Sequence, residues 1–374
     1  MNEVAQREKI LVAMSGGVDS SLAARILLDR GHEIVGVNMR THRLSREELA
    51  LGARIKTCCS PTDARDARAC AEQGDFPFYV LDVEPDFQRD VIDPFIVAYT
   101  NGRTPNPCVL CNSHVKLGLL LEKADLWGCA RIATGHYSRK AFVEETGRWT
   151  LARARDSNKD QTYYLFALRQ DQVERLELPL GELTKVEVRA LAREAAIPTA
   201  DKPESQEICF IPSNDYRGFL RRQFAERGVA MPRGKFVSTR GDVLGEHEGI
   251  AFYTVGQRRG LGVAGGEPLY VVAIDPEGQN IILGHRDDVM FSGLVAKDMN
   301  WMGIEALSEP RRCFAQIRHR HTPAAALATP ASDGSVSIQF DEPQQAVSPG
   351  QAVVLYDAED RVLGGGWIEA GTKV

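Results

Sequence analysis

Short apolar runs alternate with amphipathic stretches along the first half of the chain. Residues 9–14 (KILVAM) are almost all apolar and predict a buried strand, whereas residues 18–30 repeat apolar positions at helical spacing and end before Gly31. The same alternation predicts further strands at 33–39, 77–83 and 131–134 and further helices at 61–73, 113–127 and 170–200. Such alternation with short links predicts an α/β fold built on a doubly wound parallel sheet, whose ligands bind beyond the carboxyl ends of the strands.

The pattern changes after about residue 212. Glycine becomes frequent between 241 and 266, and long helices are no longer indicated. From residue 291 onward, β segments are predicted at 312–318, 335–340, 352–356 and 366–368, and the Ala- and Pro-rich stretch 322–332 is predicted to be a loop. This part of the chain predicts a small antiparallel barrel or sandwich.

The composition is that of an ordinary globular protein of two or three domains. Of 374 residues, 43% are hydrophobic and 26% charged, which excludes disorder of the whole chain. No apolar run is long enough to span a membrane and the first residues show no secretory leader, so we expect no membrane segment and a cytoplasmic location. The net charge is −6, so any binding of nucleic acid must depend on local basic patches.

A glycine loop joins the first predicted strand to the first helix. Its sequence, SGGVDSS at 15–21, combines two adjacent glycines with hydroxyl side chains at a helix start, where backbone N–H groups lack helical partners. This combination predicts a cradle for phosphate groups. The Gly-Lys-Ser/Thr ending of a Walker loop is missing, so no lysine of the loop is expected to bind a γ-phosphate.

The eight cysteines are not expected to form a disulfide framework in a reducing compartment. Cys108 and Cys111 form a C-x-x-C motif, which is compatible with a redox, metal-binding or incidental role. A helix that begins near Ser113 would place Cys111 at its N-terminus, where the helix dipole lowers a thiol pKa. Cys209 lies at the edge of the α/β region, where a loop could cover the predicted phosphate cradle. The others are interpreted as loop or small hydrophobic residues: Cys58, Cys59, Cys70, Cys129 and Cys313.

The motifs together resemble a known family. SGGxDS is the signature of the PP-loop ATP pyrophosphatase superfamily, and the chain as a whole resembles the tRNA-specific 2-thiouridylases. The matching strings occur in order over nearly the whole chain: AMSGGVDSS (13–21), TCCS (57–60), GRTPNPCVLCN (102–112), ATGHY (133–137), KDQTYYL (159–165), ADKPESQEICFIP (200–212), YTVGQRRGLG (253–262) and PGQAVVLYD (349–357).

The resemblance implies an enzyme that makes 2-thiouridine at the wobble position of tRNA. It implies a PP-loop domain of the adenine nucleotide α hydrolase type at 1–212, a small central domain at 213–290 and a tRNA-contacting β-barrel at 291–374. ATP and Mg²⁺ are the implied cofactors. The implied partners are tRNAs for lysine, glutamate and glutamine and a cysteine desulfurase or sulfur-carrier protein.

The resemblance also implies roles for individual residues. The implied nucleotide-binding residues, among which Asp19 helps to hold Mg²⁺, are Ala13, Met14, Ser15, Gly16, Gly17, Val18, Asp19, Ser20, Met39 and Gly135. The implied tRNA-binding residues are Asn106, Pro107, Cys108, His136, Lys159, Asp160, Gln161, Arg318, His319 and Gln351. Two basic clusters are further candidates for phosphate contacts, Gln257–Arg259 and the group Arg311, Arg312, Arg318, His319, Arg320 and His321.

In the mechanism that the resemblance implies, the C2 oxygen of uridine is adenylated and a persulfide on Cys209 then attacks C2. Cys111 next attacks the inner sulfur of that persulfide, releases thiouridine and forms a transient Cys111–Cys209 disulfide. The base must be flipped out of the anticodon stack. Cys108 occupies a position at which the family commonly has Asp, proposed there to transfer a proton.

Three alternatives remain open at this stage. Cys108, Cys111 and Cys209 could instead hold a [4Fe–4S] cluster that carries sulfide to the same product. The chain could be a non-catalytic, nucleotide-gated RNA-binding protein whose C-x-x-C motif binds structural zinc. It could also be another PP-loop ligase or amidotransferase, although no glutaminase portion is evident in the sequence.

Overall fold

The computed structural model describes residues 7–41, 61–203, 208–211, 215–263 and 267–373. These fall into two compact units. The first comprises the chain up to Val91 together with Cys108–Asp215 and Asp360–Val362, and the second comprises Ile92–Pro107, Tyr216–Glu359 and Leu363–Val374. The domain limits at 212 and 290 stay a prediction.

The helices and strands are as follows. The helices are α1 (Val18–Asp29), α2 (Pro61–Gln73), α3 (Glu84–Phe87), α4 (Asp93–Thr100), α5 (Pro107–Leu110), α6 (Leu117–Leu126), α7 (Gln170–Arg175), α8 (Lys185–Glu194) and α9 (Tyr216–Glu226), with π-helical turns at Gln88–Ile92 and Cys111–Lys116. The strands are β1 (Lys9–Ala13), β2 (Glu33–Arg40), β3 (Phe78–Asp82), β4 (Arg131–Ala133), β5 (Arg139–Val143), β6 (Arg148–Ala152), β7 (Leu176–Glu177), β8 (Gly234–Ser238), β9 (Val243–His247), β10 (Tyr270–Asp275), β11 (Asn280–Gly284), β12 (Met290–Trp301), β13 (Arg311–Gln316), β14 (Ala324–Pro330), β15 (Val336–Gln345), β16 (Ala352–Tyr356) and β17 (Val362–Thr372).

A parallel sheet of five strands forms the centre of the first unit, in the order β3-β2-β1-β4-β7. The middle of β1 is completely buried, because Ile10, Leu11 and Val12 have no exposed surface. The predicted doubly wound parallel sheet is confirmed. Strand order reverses between β1 and β4, and in such sheets a ligand binds at the reversal, beyond the carboxyl ends of the strands.

The helix predicted at 113–127 begins earlier than the sequence pattern suggested. Helical backbone starts at Pro107, continues through the π-helical turn Cys111–Lys116 and ends with α6. Proline is favoured as a first helical residue because its ring fixes φ near the helical value and its missing N–H is not needed there. Ser113 is no N-cap, since its hydroxyl donates to the Val109 carbonyl inside the helix at 3.0 Å.

The second unit contains a closed barrel and a smaller sheet. The barrel has six strands in the order β12-β15-β14-β13-β16-β17, and the smaller sheet has the order β10-β11-β8-β9. The predicted C-terminal barrel is confirmed, but the loop predicted at 322–332 is wrong. Ala324–Pro330 is strand β14, paired with β13 and β15, because Ala326 and Ala328 are small enough to point into the barrel core. β12 was absent from the prediction.

Among the helices that the structure describes, none combines the length and the apolar character needed to cross a lipid bilayer.

Candidate active site

The loop between β1 and α1 is closed by its own side chains. The Ser20 hydroxyl accepts from the backbone N–H of Ser15 at 3.1 Å and donates to the carbonyl of Gly17 at 3.2 Å. Gly17 is the N-cap of α1, and no side chain of the described residues caps this helix. The first turn of α1 therefore keeps backbone N–H groups for a ligand, at the positive end of the helix dipole.

Two glycines allow this loop to pack closely against its neighbours. Gly16 has φ +76°, and a Cβ there would lie 2.1 Å from the carbonyl oxygen of Asp63 in α2. Gly135 follows β4, and a Cβ there would lie 2.6 Å from the backbone nitrogen of Ser20. The loops after β1 and β4 thus meet at the start of α1, where the strand order reverses.

Asp19 is the centre of a partly buried ion pair. The Lys185 ammonium lies 2.7 and 2.8 Å from its two carboxylate oxygens, and the Tyr137 hydroxyl donates to Oδ1 at 2.7 Å. Only 11% of the Lys185 side chain is exposed. Sequence reasoning missed Lys185, which lies 166 residues from Asp19. The one signal was the T-x-x-E capping box of Thr184 and Glu187, which starts α8 just before this lysine.

A second lysine that sequence reasoning did not single out fixes the loop from another side. Lys202 donates to the Gly16 carbonyl at 2.9 Å and to the Asp63 carboxylate at 2.6 Å, and it also pairs with Asp66. Its position within the ADKP string of the resemblance is the signal that could have found it. Lys202 thereby links the loop between β1 and α1 to α2.

Met14 and Met39 are buried at the ends of β1 and β2. The backbone N–H of Met14 donates to the Val37 carbonyl at 2.7 Å, and the Asn38 side-chain amide donates to the Met14 carbonyl at 2.8 Å. Val18 is buried in the first turn of α1, while Ala13 ends β1. These residues are the apolar wall beside the loop.

The two thiols of the C-x-x-C motif lie in different environments. Cys108 is half-buried in the first turn of α5, and burial raises its pKa although Lys116 acts in the opposite direction. Cys111 is buried and opens the π-helical turn. The prediction that Cys111 lies at a helix N-terminus is wrong, because the helix begins at Pro107. Of the two cysteines, Cys108 is the one in the first turn.

Cys209 is half-buried beside Phe210, whose ring packs edge-on against Phe87 at 5.5 Å. Residues 205–207 of its motif lie outside the described residues, as do Cys58 and Cys59. Within the described residues, no three His, Cys, Asp or Glu side chains gather closely enough to hold a metal ion. The interpretation of the remaining cysteines as buried small residues is confirmed for Cys70, Cys129 and Cys313.

His136 follows Gly135 and is held by Thr134, whose hydroxyl lies 2.8 Å from Nδ1. Burial, with a smaller contribution from Lys116, lowers the pKa of His136 to about 3. The imidazole is therefore neutral at physiological pH. It can hydrogen-bond a base but adds no positive charge for phosphate.

The predicted tRNA-binding segment 159–161 makes internal contacts in this structure. The Asp160 carboxylate accepts from the Ala154 N–H and the Thr162 hydroxyl at 2.9 and 2.7 Å, and burial raises its pKa. The Gln161 side chain accepts from the Tyr137 N–H at 2.9 Å. Lys159 is half-buried. Asp160 and Gln161 thus support the strand connections beside the site, and their contact with tRNA stays a prediction.

The remaining predicted residues belong to the second unit. Asn106 and Pro107 are buried at the end of the segment that starts at Ile92. The Gln351 amide donates to the carbonyls of Thr104 and Pro105 at 3.2 and 3.1 Å. Arg318 and His319 lie in the turn after β13, and the Arg318 guanidinium donates to the Gln345 carbonyl at 2.9 Å. In the same cluster, Arg312 is paired with Asp341.

Three family models match the chain in succession. They are described as a tRNA methyl transferase HUP domain at residues 8–213, a tRNA methyl transferase PRC-barrel domain at 222–285 and an aminomethyltransferase beta-barrel domain at 291–368. The first alone covers more than half of the chain.

Curated relatives match over almost the full length. The tRNA-specific 2-thiouridylase MnmA of Koribacter versatilis (strain Ellin345) is 48% identical over 96% of this chain and 99% of its own. The protein of the same name from Carboxydothermus hydrogenoformans is 47% identical over 98% of this chain and 99% of its own. That from Geobacter metallireducens is 48% identical over 97% of each chain. The domain models mention methyl transfer, but the full-length relatives are thiouridylases. The chain therefore belongs to the tRNA-specific 2-thiouridylase family.

Proposed function

We propose that this enzyme transfers sulfur to C2 of the wobble uridine, position 34, of tRNA in an ATP-dependent reaction. One observation carries the proposal. A phosphate-binding loop at an uncapped helix start belongs to the same compact unit as the three thiols Cys108, Cys111 and Cys209. Adenylation and thiol chemistry are the two activities that thiolation of a carbonyl carbon requires.

The HUP fold implies the use of ATP, and the loop residues 15–20 would bind its phosphates. The C2 oxygen of uridine is a poor leaving group. Its attack on the α-phosphate releases pyrophosphate and leaves the base adenylated, so that the oxygen can later depart with AMP. The backbone N–H groups at the start of α1 would stabilise the charge that develops on the phosphate oxygens.

Sulfur then arrives as a persulfide on Cys209, supplied by a cysteine desulfurase or a sulfur-carrier protein. The terminal sulfur attacks C2 and AMP leaves, which joins C2 to Cys209 through two sulfur atoms. The Cys111 thiolate attacks the Cys209 sulfur, and the electrons of the broken S–S bond remain on the sulfur at C2. The products are 2-thiouridine and a Cys111–Cys209 disulfide, which an external thiol reductant must reduce before the next cycle.

Cys108 stays protonated near neutral pH in this proposal because its burial raises the thiol pKa. A neutral thiol can donate a proton, for example to a departing oxygen, but it is a weaker base than the carboxylate that relatives commonly have at this position. We therefore assign Cys108 to positioning of the target base, together with neutral His136.

The residues present do not fit either of the implied metal groups in their present arrangement. A Mg²⁺ ion on Asp19 would compete with the Lys185 ammonium, which already occupies both carboxylate oxygens. The three candidate cysteines do not form one of the groups that could hold a metal. We therefore derive no step through Mg²⁺ or through a [4Fe–4S] cluster.

The test is thiolation by anaerobic, metal-stripped protein supplied with a persulfide donor, ATP, Mg²⁺ and unmodified lysine tRNA, followed by retardation of the product on a mercury-containing gel. We expect product with the unchanged chain and none with Cys111→Ser or Cys209→Ser. Cys129→Ala and Cys313→Ala are matched controls, because both alter buried cysteines outside the proposed chemistry.

Two results would contradict the proposal. A requirement for added iron and sulfide would favour the cluster alternative. Binding of tRNA without release of AMP and pyrophosphate would favour the non-catalytic alternative. With glutamate and glutamine tRNAs as further substrates, the same assay defines which tRNAs are accepted. We propose that the reaction takes place in the cytoplasm.

A further inference from the structure

An open cavity of about 470 Å³ lies in the second unit, outside the candidate active site, and its lining includes Gln257 and Arg259 of the basic cluster noted in the sequence. It is lined by residues from α9 and from the segment that follows Tyr253, namely Tyr216, Arg217, Thr254, Gln257, Arg259 and Gly260. Two of the six lining residues are arginines and none is acidic. In a chain of net charge −6, this is a local concentration of positive charge.

The side chain of Arg217 and the backbone that carries Arg259 are held in place. The Arg217 guanidinium lies over the Tyr253 ring, 5.1 Å from its centroid, which restricts its motion. The Gln257 side chain accepts from the Thr254 N–H at 3.2 Å and donates to the Arg259 carbonyl at 2.9 Å, so the loop that carries Arg259 is braced from within. Preorganised cations lose little entropy when they bind a ligand.

Positive charge exceeds negative charge at the cavity. Within the part of the chain that the structure describes, neither Arg217 nor Arg259 forms an ion pair. A Cβ on Gly260 would lie 3.8 Å from a guanidinium nitrogen of Arg217, so the residue next to Arg259 adjoins the other arginine. The nearby carboxylate of Glu248 is instead bound by Arg221. Glu248 still interacts electrostatically with Arg217, but its ion pair is with Arg221, so positive charge remains in excess at the cavity and favours a bound anion.

We propose that this cavity, with Arg217 and Arg259 as its cations, binds backbone phosphate of the tRNA substrate at a point separate from the reacting base. The inference rests on the proposed function, because it takes tRNA to be the polyanion. Guanidinium groups bind phosphate oxygens in a bidentate manner, and such contacts position a nucleic acid without reading its sequence. The site would therefore contribute affinity and register to every tRNA that the enzyme accepts.

The test measures the affinity of the full-length protein for an unmodified lysine tRNA transcript as a function of salt concentration. We expect the double variant Arg217→Ala, Arg259→Ala to reduce the slope of log K against log salt by about one to two. Arg259→Ala alone should reduce it by about one, and this variant removes an exposed side chain without disturbing the Tyr253 stack. Thiolation should show a raised KM for tRNA and an unchanged kcat.

The matched control is Arg240→Ala, Arg286→Ala, which removes two exposed arginines of the same unit and the same total charge. An equal loss of slope in this control would overturn the inference, because bulk charge would then explain it. An unchanged tRNA slope with a raised KM for the protein sulfur donor would also overturn it, in favour of a protein partner. Because the binding assay needs no turnover, a chain that binds tRNA but makes no thiouridine would refute the proposed function alone.

Discussion

At the scale of single residues, the site depends on close backbone approach and on a few desolvated side chains. Gly16 and Gly135 are the positions at which a Cβ would strike backbone atoms of Asp63 and Ser20. His136, at the proposed base site, is a titratable side chain whose pKa is lowered to about 3, mainly by burial. These features lead to two predictions.

Gly16→Ala should abolish nucleotide binding, since its Cβ would displace the loop from α2. Gly31→Ala is the matched control, because Gly31 has a similar positive φ of +88° but no atom within 4 Å of a new Cβ. The control should lose only about 1 kcal/mol of unfolding free energy from backbone strain. Nucleotide binding by calorimetry and urea unfolding measure the two effects. Equal nucleotide affinity in both variants would contradict the role of the close approach.

His136 should make the protein less stable in acid. Its pKa of about 3 in the folded state lies below the ordinary value of 6.5, so the unfolded chain takes up a proton that the folded chain refuses. The contribution of neutral His136 is fully present above pH 6.5 and is lost as the pH falls from 6.5 toward 3, by up to about 1.4 kcal/mol per pH unit.

The measurement is urea unfolding at several pH values between 7 and 4. His136→Gln should show a shallower loss of stability with falling pH than the unchanged chain, because the substituted side chain has no proton to take up on unfolding. A His136→Gln variant with the original pH profile would mean that the imidazole is protonated at its ordinary pKa.

At the scale of elements, α8 and β14 owe their roles to tertiary contacts that the local sequence pattern does not predict. α8 begins at Lys185 through a capping box, and this start directs the lysine to Asp19 in α1. β14 is made of small residues whose burial alternates only within the barrel. Each element gives one prediction.

Lys185→Met and Asp19→Asn should each destabilise the first unit, because each leaves a partly buried charge without its partner. The expected cost is about 1 to 3 kcal/mol per single variant, reduced from that of a fully buried pair since 30% of the Asp19 side chain is exposed. The double variant should lose less than the sum of the two. Additive losses in a double-mutant cycle by urea unfolding would show that the pair contributes no coupling.

Ala328→Leu should overpack the barrel core and lower the unfolding free energy by about 1 to 3 kcal/mol. Ala328 is buried in β14, whereas Ala325 in the same strand is half-buried. Ala325→Leu is therefore the matched control and should be nearly neutral. Thermal unfolding of both variants tests the assignment, and equal stability would argue that Ala328 does not point into the core.

At the scale of the whole molecule, the proposed chemistry and the proposed phosphate cavity belong to different compact units. ATP should therefore protect amide groups selectively. Hydrogen exchange should slow at residues 13–20, which include the loop between β1 and α1, and at residues 133–137, which pack against it. It should remain unchanged in the barrel strands β13 to β16. Uniform protection along the chain would indicate that ATP acts on both units together.

The sequence by itself determined the parallel sheet and the place of the glycine loop, because apolar periodicity and adjacent glycines are local properties of the chain. For the C-terminal part it predicted a barrel or a sandwich, and the structure decided for the closed barrel. Helix boundaries were less secure. Ser113 resembles an N-cap locally, but Pro107 supplied the true first helical residue. The small residues of β14 are typical of a loop in sequence, but in the barrel Ala326 and Ala328 form the buried side of a strand.

Only the tertiary structure decided which charges meet. Lys185 lies 166 positions from Asp19, and Lys202 lies 186 positions from Gly16. Arg217 and Arg259 converge from an α-helix and a separate loop. No local pattern encodes such pairs, since an ammonium or guanidinium group finds its partner through the path of the folded backbone. The motifs therefore indicated the enzyme family. Only the tertiary structure showed which charged side chains surround the glycine loop and the cavity.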